Sequence, residues 1–462
     1  MNSAALRGEK GANGCADAVE SPAFLWKLRE KLVFIVEPRP QWWLKNQERA
    51  LTCVRDWFPM SHPMQSDAEE KQLSAAPEMA LLRPYMPELD MLRGLAVLGV
   101  LLLHGFYWAF GSRSFGPWTS KFMEATRFGW TGVNLFFVLS GFLITGILLD
   151  SRGKPHFYRR FYTSRALRIL PAYYALLILL LLLRASSAAF VGLSFLYLAN
   201  MTAFFGVACG YGPLWSLAVE EHFYILWPAI VRHVTMRRLA LVSASIVIVV
   251  PLLRTVSFAR GYGGLDWYTW FVADGLAAGS LLAIILRSAI NRKQVWKLCW
   301  ILMALPVLLG IAGKPFGIDT RDQLLGAGLQ YSTINTFFAG FLLLFLLVGS
   351  SDAKRYVNNS VLRWLGYISY GLYLDHLLVF RIYDRVCGRR FPQLAASPGH
   401  FALIFLRFAL AGGSAVAIAY LSRKYFEERF LRLKNSFVPR PALESQTGMI
   451  DAAAPSGTIQ AA

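Results

Sequence analysis

Long uncharged stretches recur along this chain and constrain its fold more than any other feature. From about Leu92 to Leu421, segments of roughly 18 residues or more are long enough to cross about 30 Å of hydrocarbon as helices. The chain has 462 residues, of which 55% are hydrophobic and 16% charged, and its mean hydropathy is +0.42. These values exclude a soluble cytosolic domain and a disordered chain. We therefore predict an all-α protein, a polytopic transmembrane bundle of about ten helices.

The predicted spans follow the apolar segments, and their ranges are 91–111, 130–150, 168–184, 214–231, 238–253, 267–286, 296–313, 330–349, 362–381 and 401–422. One further apolar segment, 189–208, contains Asn200 and is flanked by glycines. There we predict a short or re-entrant piece buried in protein, because irregular backbone at membrane depth needs protein or water to satisfy it.

Basic residues cluster in the short loops between these spans, for example at 152–168 and 232–238. A positive-inside bias accounts for the formal net charge of +19 better than nucleic-acid binding does. No charged-then-apolar signal peptide follows Met1, so we expect the N-terminus in the cytoplasm, contact with membrane lipid and no nucleic-acid partner. The five cysteines form no CxxC pair or Cys/His cluster, so we expect neither disulfides nor a bound metal.

The two ends of the chain differ from this apolar middle. We assign 1–86 to a cytoplasmic extension, in which 24–36 has the apolar and basic spacing of an interfacial helix. A partly ordered tail without a specific role, or translation from a later methionine, is the alternative. Residues 87–430 form the membrane domain, and the polar, alanine-rich residues 431–462 form a disordered cytoplasmic tail.

His104 lies deep in the first span. It follows Arg93 by eleven residues, which is about 16 Å at helical rise. An ionisable side chain at membrane depth is costly and normally faces a polar cavity or a partner, so it is a functional candidate. An imidazole suits removal of a proton from a hydroxyl at neutral pH. The alternative is a neutral histidine that is hydrogen-bonded between helices.

The next two helices carry further candidates. The second span mixes small residues at four- to five-residue spacing with aromatic side chains, which predicts close packing, and its Asn134 and Ser140 are candidates to line a polar cavity. The third helix presents Arg165 and Arg168 on one face at the cytoplasmic interface. Their forked guanidinium groups suit phosphate oxygens, with lipid headgroups as the alternative.

Two carboxylates and a histidine, Glu220, Glu221 and His222, stand near the outer start of a hydrophobic helix. Adjacent helical residues point about 100° apart, so we expect only one of the two carboxylates to face a given cavity. A buried carboxylate without a partner is expensive, which favours a functional role.

Two later helices carry acidic side chains as well. Asp375 and His376 form a pair partway along a late span, with a structural hydrogen bond as the alternative to a functional role. Asp274 is flanked by small residues, which predicts close packing with a polar partner.

In combination, these segments resemble the acyltransferase-3 family of integral membrane O-acyltransferases, which includes bacterial O-antigen acetylases. The resemblance covers about Pro87 to Phe430 and rests on five segments in order. They are Leu89-Asp90 with Arg93-Gly94 and His104; Gly132 to Phe137 with Leu139 to Phe142; Arg165 with Arg168 to Pro171; Trp215 to Leu217 with Glu220-Glu221 and Phe223-Tyr224; and Ser369-Tyr370 with Leu374 and His376. The N-terminal extension departs from the family, as does Asp375, where an apolar or aromatic residue is expected.

The resemblance implies an enzyme of the bacterial inner membrane. Such an enzyme moves an acyl group, usually acetyl, from cytoplasmic acyl-CoA to a hydroxyl of a carbohydrate or glycolipid, without a bound cofactor. By this resemblance His104 is the catalytic histidine. We expect it to act as general base, with a transient acyl-histidine as the alternative. Glu220 or Glu221 is expected to assist on the acceptor side. The donor is expected at Arg93, Arg165 and Arg168. The supporting positions are Asp90, Asn134, Ser140, Trp215, Ser216, Tyr370 and His376.

Two hypotheses of other classes remain open from the sequence. A secondary transporter or flippase would use the intramembrane His, Asp and Glu to bind ions or substrate, although no inverted repeat is visible. A non-catalytic membrane subunit of a polysaccharide-synthesis complex would tolerate replacement of His104.

Overall fold

The computed structural model describes residues 81–111, 116–390 and 401–437. Every regular element in these ranges is a helix, which confirms the all-α prediction. Nearly all of the N-terminal extension, including the interfacial helix expected at 24–36, lies outside the described residues, and so does the tail from 438 to 462.

The helices are numbered here in chain order. They are α1 (Pro87–Leu102), α2 (Pro117–Arg127), α3 (Thr131–Ser151), α4 (Phe157–Leu182), α5 (Ala188–Phe195), α6 (Leu214–His233), α7 (Met236–Ala259), α8 (Asp274–Ile285), α9 (Arg292–Gly313), α10 (Leu324–Gly349), α11 (Ser360–Arg390), α12 (Phe401–Arg407), α13 (Gly413–Leu421) and α14 (Glu428–Phe437). Prolines in the first turns of α1 and α2 favour helix starts there, because that position has no intrahelical use for an N–H group.

Several helices continue through tighter or wider turns. A π-helical turn, Leu103–Tyr107, extends α1 into Trp108–Phe110, and a 3-10 turn, Phe128–Trp130, joins α2 to α3. Two more π-helical turns, Phe408–Gly412 and Ser422–Glu427, link α12, α13 and α14.

Seven helical stretches in the described ranges are long and apolar enough to cross a membrane. They are Pro87–Phe110, Pro117–Ser151, Phe157–Leu182, Met236–Ala259, Arg292–Phe316, Leu324–Gly349 and Phe401–Leu433. The other three predicted spans are also helical, as α6, α8 and α11, but α8 has only 12 residues and the sequences of α6 and α11 carry several charged side chains. The protein is therefore a multi-pass membrane protein, and the number of ten spans is not confirmed.

Two segments test the predicted boundaries. The segment 189–208 contains only the eight-residue α5 and the 3-10 turn Thr202–Phe205. Eight residues of helix extend about 12 Å, so this piece is too short to span, as predicted. At the other end, α14 continues to Phe437, so residues 431–437 are helical and not part of a disordered tail.

Glycines allow the helices around the site to approach each other closely. A Cβ atom on Gly94 of α1 would lie 1.8 Å from the carbonyl oxygen of Leu362 on α11. A Cβ atom on Gly141 of α3 would lie 1.9 Å from the carbonyl oxygen of Leu276 on α8. Both distances are shorter than any real contact, so only glycine fits, and the packing predicted for the second span is confirmed at Gly141.

A buried ion pair joins three helices beside the site. Arg254 of α7 donates to both carboxylate oxygens of Asp274 on α8, at 3.2 and 3.1 Å. The hydroxyl of Ser332 on α10 donates to the same carboxylate at 2.5 Å. Arg254 and Asp274 are 0% and 1% exposed, so each buried charge is stabilised by the opposite charge of the other. The polar partner predicted for Asp274 is thus Arg254.

Candidate active site

His104 lies in the π-helical turn that follows α1. In this turn the carbonyl oxygen of Gly105 accepts a hydrogen bond from Nη1 of Arg407 at 2.9 Å. Arg407 in turn donates from Nε and Nη2 to the two carboxylate oxygens of Asp384, at 2.6 and 2.7 Å. Arg407 and Asp384 thus hold the turn that carries His104. No sequence motif points to either residue, because both lie outside the segments that carry the resemblance.

A second histidine lies against His104. Nδ1 of His376 lies 2.9 Å from the carbonyl oxygen of Leu372, so with a neutral ring this nitrogen carries the hydrogen and Nε2 accepts. Nδ1 of His104 lies 3.0 Å from the carbonyl oxygen of Val100 and 3.2 Å from Nε2 of His376. Both neighbours are acceptors, so Nδ1 of His104 carries the hydrogen as well. The lone pair of the neutral His104 ring is therefore on Nε2.

His104 lines a cavity of about 780 Å³, which we call the histidine cavity. Asn134 and Trp215, two of the predicted supporting residues, line the same cavity. Nδ2 of Asn134 donates to Oδ1 of Asn335 at 2.8 Å, and these side chains are 4% and 2% exposed. Asn335 lies on α10 outside the motifs, so sequence analysis did not single it out.

Charged and aromatic side chains form another part of this wall. Arg321 donates to the carboxylate of Asp266 at 3.0 Å and to the hydroxyl of Tyr331 at 2.8 Å. The same guanidinium group lies 4.9 Å from the centre of the Trp130 ring. The histidine cavity therefore combines flat apolar faces with hydrogen-bonding groups.

A second cavity of about 110 Å³, the arginine cavity, brings together the three arginines predicted to bind the donor. Arg93 comes from α1, and Arg165 and Arg168 come from α4. Arg93 pairs with Asp90 at 3.1 Å, and Arg165 lies 5.7 Å from the centre of the Tyr224 ring. The i,i+3 pair on α4 thus faces one cavity, as its spacing predicts.

Both Glu220 and Glu221 line the arginine cavity. The expectation that only one of them would face a given cavity is wrong, because two adjacent positions of α6 both border this cavity. The carboxylate of Glu220 accepts from Ser140 at 2.9 Å and from Tyr224 at 3.1 Å. Neither glutamate lines the histidine cavity. The structure therefore separates them from His104, with which the sequence analysis had grouped them.

Three side chains, Val133, Phe137 and Tyr373, line both cavities and form the partition between them. The hydroxyl of Tyr373 lies 2.5 Å from the hydroxyl of Ser216, a predicted supporting residue that lines the arginine cavity. This contact holds the tyrosine ring between the two sites.

One face of α11 extends from the arginine cavity to the histidine cavity. Tyr370 lines the arginine cavity, Tyr373 lines both, and His376 contacts His104. These residues follow one another at three-residue spacing, which places them on one side of a helix. That spacing is the signal by which Tyr373 was detectable in the sequence.

Asp375 lies next to this face, and its carboxylate is not fully hydrogen-bonded. It lines neither cavity, and its Oδ1 is buried without a hydrogen-bond partner. Beside it, the hydroxyl of Tyr211 donates to the carbonyl oxygen of Leu374 at 2.7 Å and accepts from the N–H group of Leu378 at 3.0 Å. Burial raises the pKa of Tyr211, which keeps this hydroxyl protonated. Tyr211 is thus inserted into the turn of α11 that carries Asp375 and His376.

Within the part of the chain that the structure describes, no group of three or more His, Cys, Asp and Glu side chains is arranged to hold a metal ion.

The sequence that forms these cavities is similar to proteins of a known family. The acyltransferase-3 family, described as an acyltransferase domain, matches residues 86–424. The peptidoglycan O-acetyltransferase OatA of Listeria monocytogenes is 28% identical over 336 residues, which cover 64% of this chain and 49% of that protein. The O-acetyltransferase OatA of Staphylococcus aureus is 27% identical over 334 residues, which cover 64% of this chain and 51% of that protein.

The chain thus spans about half the length of the curated relatives it matches. No solved structure matches it. Both relatives are named as acetyltransferases, so these comparisons do not favour the transporter hypothesis.

Proposed function

This chain belongs to the acyltransferase-3 family, and from that membership we propose that it is a membrane O-acyltransferase that transfers an acetyl group from acetyl-CoA to a hydroxyl of a cell-wall glycan. The observation that supports this proposal most directly is a histidine with its lone pair on Nε2 in one cavity and a cluster of arginines in the next. The first suits a general base, and the second suits a phosphorylated donor.

The donor binds through the arginine cavity. Three guanidinium groups, those of Arg93, Arg165 and Arg168, line it together with the side chains of Glu220 and Glu221. Guanidinium groups bind phosphate oxygens in a bidentate manner, and CoA presents several such oxygens. The concentration of basic residues in the neighbouring loops favours a cytoplasmic position for this cavity, where acyl-CoA is made.

The acceptor hydroxyl binds beside His104. Nε2 of His104 takes the hydroxyl proton, and the oxygen attacks the acyl carbonyl carbon. The carbon–sulfur bond of the thioester then breaks, CoA leaves as a thiolate, and the proton on Nε2 passes to that thiolate, which restores the neutral base. The acyl end reaches the histidine past Tyr373 in the partition. In the alternative order Nε2 attacks the acyl carbon first and CoA leaves as a thiolate, which forms an acyl-histidine. The acceptor hydroxyl then attacks that carbon, gives its proton to the thiolate and displaces Nε2.

The acceptor class is a carbohydrate. A pyranose ring offers apolar faces and a rim of hydroxyl groups, and the histidine cavity offers tryptophans together with asparagine, aspartate and arginine side chains. The relative from Listeria is named for peptidoglycan, which supports a cell-wall glycan.

The test uses membranes that contain the full chain, labelled acetyl-CoA and a cell-wall glycan fraction, with label followed into glycan and into free acetate. We expect the wild type and a His233→Ala control to label the glycan, since His233 is exposed at the end of α6. His104→Ala abolishes that label. Transfer retained by His104→Ala would contradict the histidine base. A folded wild type that transfers no acyl group from any acyl-CoA would contradict the function.

A further inference from the structure

A third cavity, of about 860 Å³, adjoins the histidine cavity. Its wall comes from segments 199–209 and 257–271, which are mostly loop but include the end of α7, the 3-10 turn Thr202–Phe205 and the short helix Thr269–Val272, and we call it the loop cavity. Trp267 lines both the loop cavity and the histidine cavity. The same tryptophan contacts Trp215 of the histidine cavity edge-on, with ring centres 5.3 Å apart. The two cavities thus meet at one side chain.

The loop cavity has an aromatic shelf beyond Trp267. The rings of Tyr268 and Trp270 are stacked, with centres 5.1 Å apart and planes at 21°. Phe204 adds a third ring, 4.8 Å from that of Tyr268. Phe204 is 62% exposed and Trp270 is 40% exposed, so these faces are open to a ligand.

A buried polar atom completes this wall. Asn200 is 4% exposed, and its Nδ2 donates to Oγ1 of Thr269 at 3.0 Å and to the carbonyl oxygen of Trp267 at 3.3 Å. Its Oδ1 is buried without a hydrogen-bond partner. An unsatisfied buried acceptor costs free energy, which a ligand hydroxyl would recover. Asn200 lines the loop cavity.

We propose that the loop cavity is a second sugar subsite and that the acceptor is an oligosaccharide of at least two units, which extends from His104 past Trp267 to the shelf formed by Tyr268 and Trp270. This inference rests on the proposed function. The aromatic faces pack against pyranose rings, and Oδ1 of Asn200 accepts from a sugar hydroxyl. A hydrocarbon chain would bury that oxygen without a partner, so the cavity favours a glycan over the tail of a lipid carrier.

The experiment measures kcat/KM for acetyl transfer to soluble cell-wall glycan fragments of one to six sugar units, with the purified full chain in lipid nanodiscs. The readout is the ratio of kcat/KM for the longest fragment to that for the single sugar. We expect this ratio to be about ten or more in the wild type, a change equivalent to about 1.4 kcal/mol. Trp270→Ala and Asn200→Ala each bring it close to one. Trp118→Ala is the matched control, because Trp118 is 82% exposed and lines none of the three cavities.

Each outcome decides between the alternatives. A wild-type ratio near one, or an unchanged ratio in both loop-cavity variants that fold as judged by gel filtration, overturns the second subsite. A defect of Trp270→Ala that occurs with lipid-linked fragments and not with soluble fragments of equal length assigns the cavity to a lipid chain and also overturns it. Absence of transfer to every fragment by the wild type contradicts the proposed function instead.

Discussion

Nε2 of His376 lies 3.2 Å from Nδ1 of His104, although 272 positions separate the two residues in the chain. His376 accepts there, and together with the Val100 carbonyl it fixes the hydrogen of His104 on Nδ1 and leaves Nε2 as the base. We therefore regard His376 as a positioning residue for the proposed reaction. It touches His104, and it lines neither the histidine cavity nor the arginine cavity.

A pair of variants tests this role. His376→Leu removes one of the two acceptors of Nδ1, leaving the Val100 carbonyl, and lowers kcat by roughly 10- to 100-fold, because the His104 ring is then less well oriented. His376→Gln keeps an oxygen that accepts from Nδ1 and retains most of the activity. The measurement is kcat over a range of pH for both variants, with donor and acceptor KM. Equal loss in both variants, or a change in KM alone, would argue for a merely structural role.

His104→Ala removes the proposed base. We expect kcat for acetyl transfer to fall by roughly 100- to 10,000-fold, the contribution of a positioned proton acceptor. Donor binding is retained, because the arginine cavity is intact. Radiolabelled donor binding and single-turnover transfer separate the two effects, and loss of both together would show that the variant fails to fold.

Arg165→Ala and Arg168→Ala test donor binding. Each variant removes a charged contact to phosphate, so we expect KM for acetyl-CoA to rise by roughly 10-fold while KM for the glycan changes little. Arg159→Ala is the control, because Arg159 is on the same helix, is exposed and does not line the arginine cavity. A normal donor KM in either cavity variant would refute the assignment.

Tyr373→Ala tests the partition. The smaller side chain joins the two cavities and admits water to the donor site. The acyl group of the donor is then no longer protected from hydrolysis, because that protection depends on the exclusion of water. We expect release of free acetate from acetyl-CoA without acceptor to increase relative to the wild type. Tyr373→Phe keeps the ring, and acetate release should stay at the wild-type level. No increase with Tyr373→Ala would mean that another element separates the donor from water.

Gly94→Ala tests the packing of α1 against α11. The added Cβ would lie 1.8 Å from the carbonyl oxygen of Leu362, so the helices must move apart, at a cost of about 1–3 kcal/mol. Gly310→Ala is the matched control, since nothing lies within 4 Å of its added Cβ. The melting temperature of purified protein should fall for Gly94→Ala alone. Equal melting temperatures would contradict the close contact.

The sequence by itself determined the helical class, the membrane location, the family and most of the polar side chains at the site. Each of these depends on local information. A run of apolar residues predicts a helix in lipid whatever its neighbours are, and the i,i+3 spacing of Arg165 and Arg168 places both on one face. The arginine cavity accordingly contains all three arginines that were predicted together.

Only the tertiary structure decided which of these faces meet. His376 reaches His104 because α11 packs against α1 through Gly94. Glu220 is separated from His104 because the partition lies between their two cavities. Arg407, Asp384 and Asn335 contribute to the site from positions outside the sequence motifs. The physical reason is that hydrophobic periodicity specifies a helix and its buried face, whereas the neighbour of that face is selected by close packing between segments distant in sequence.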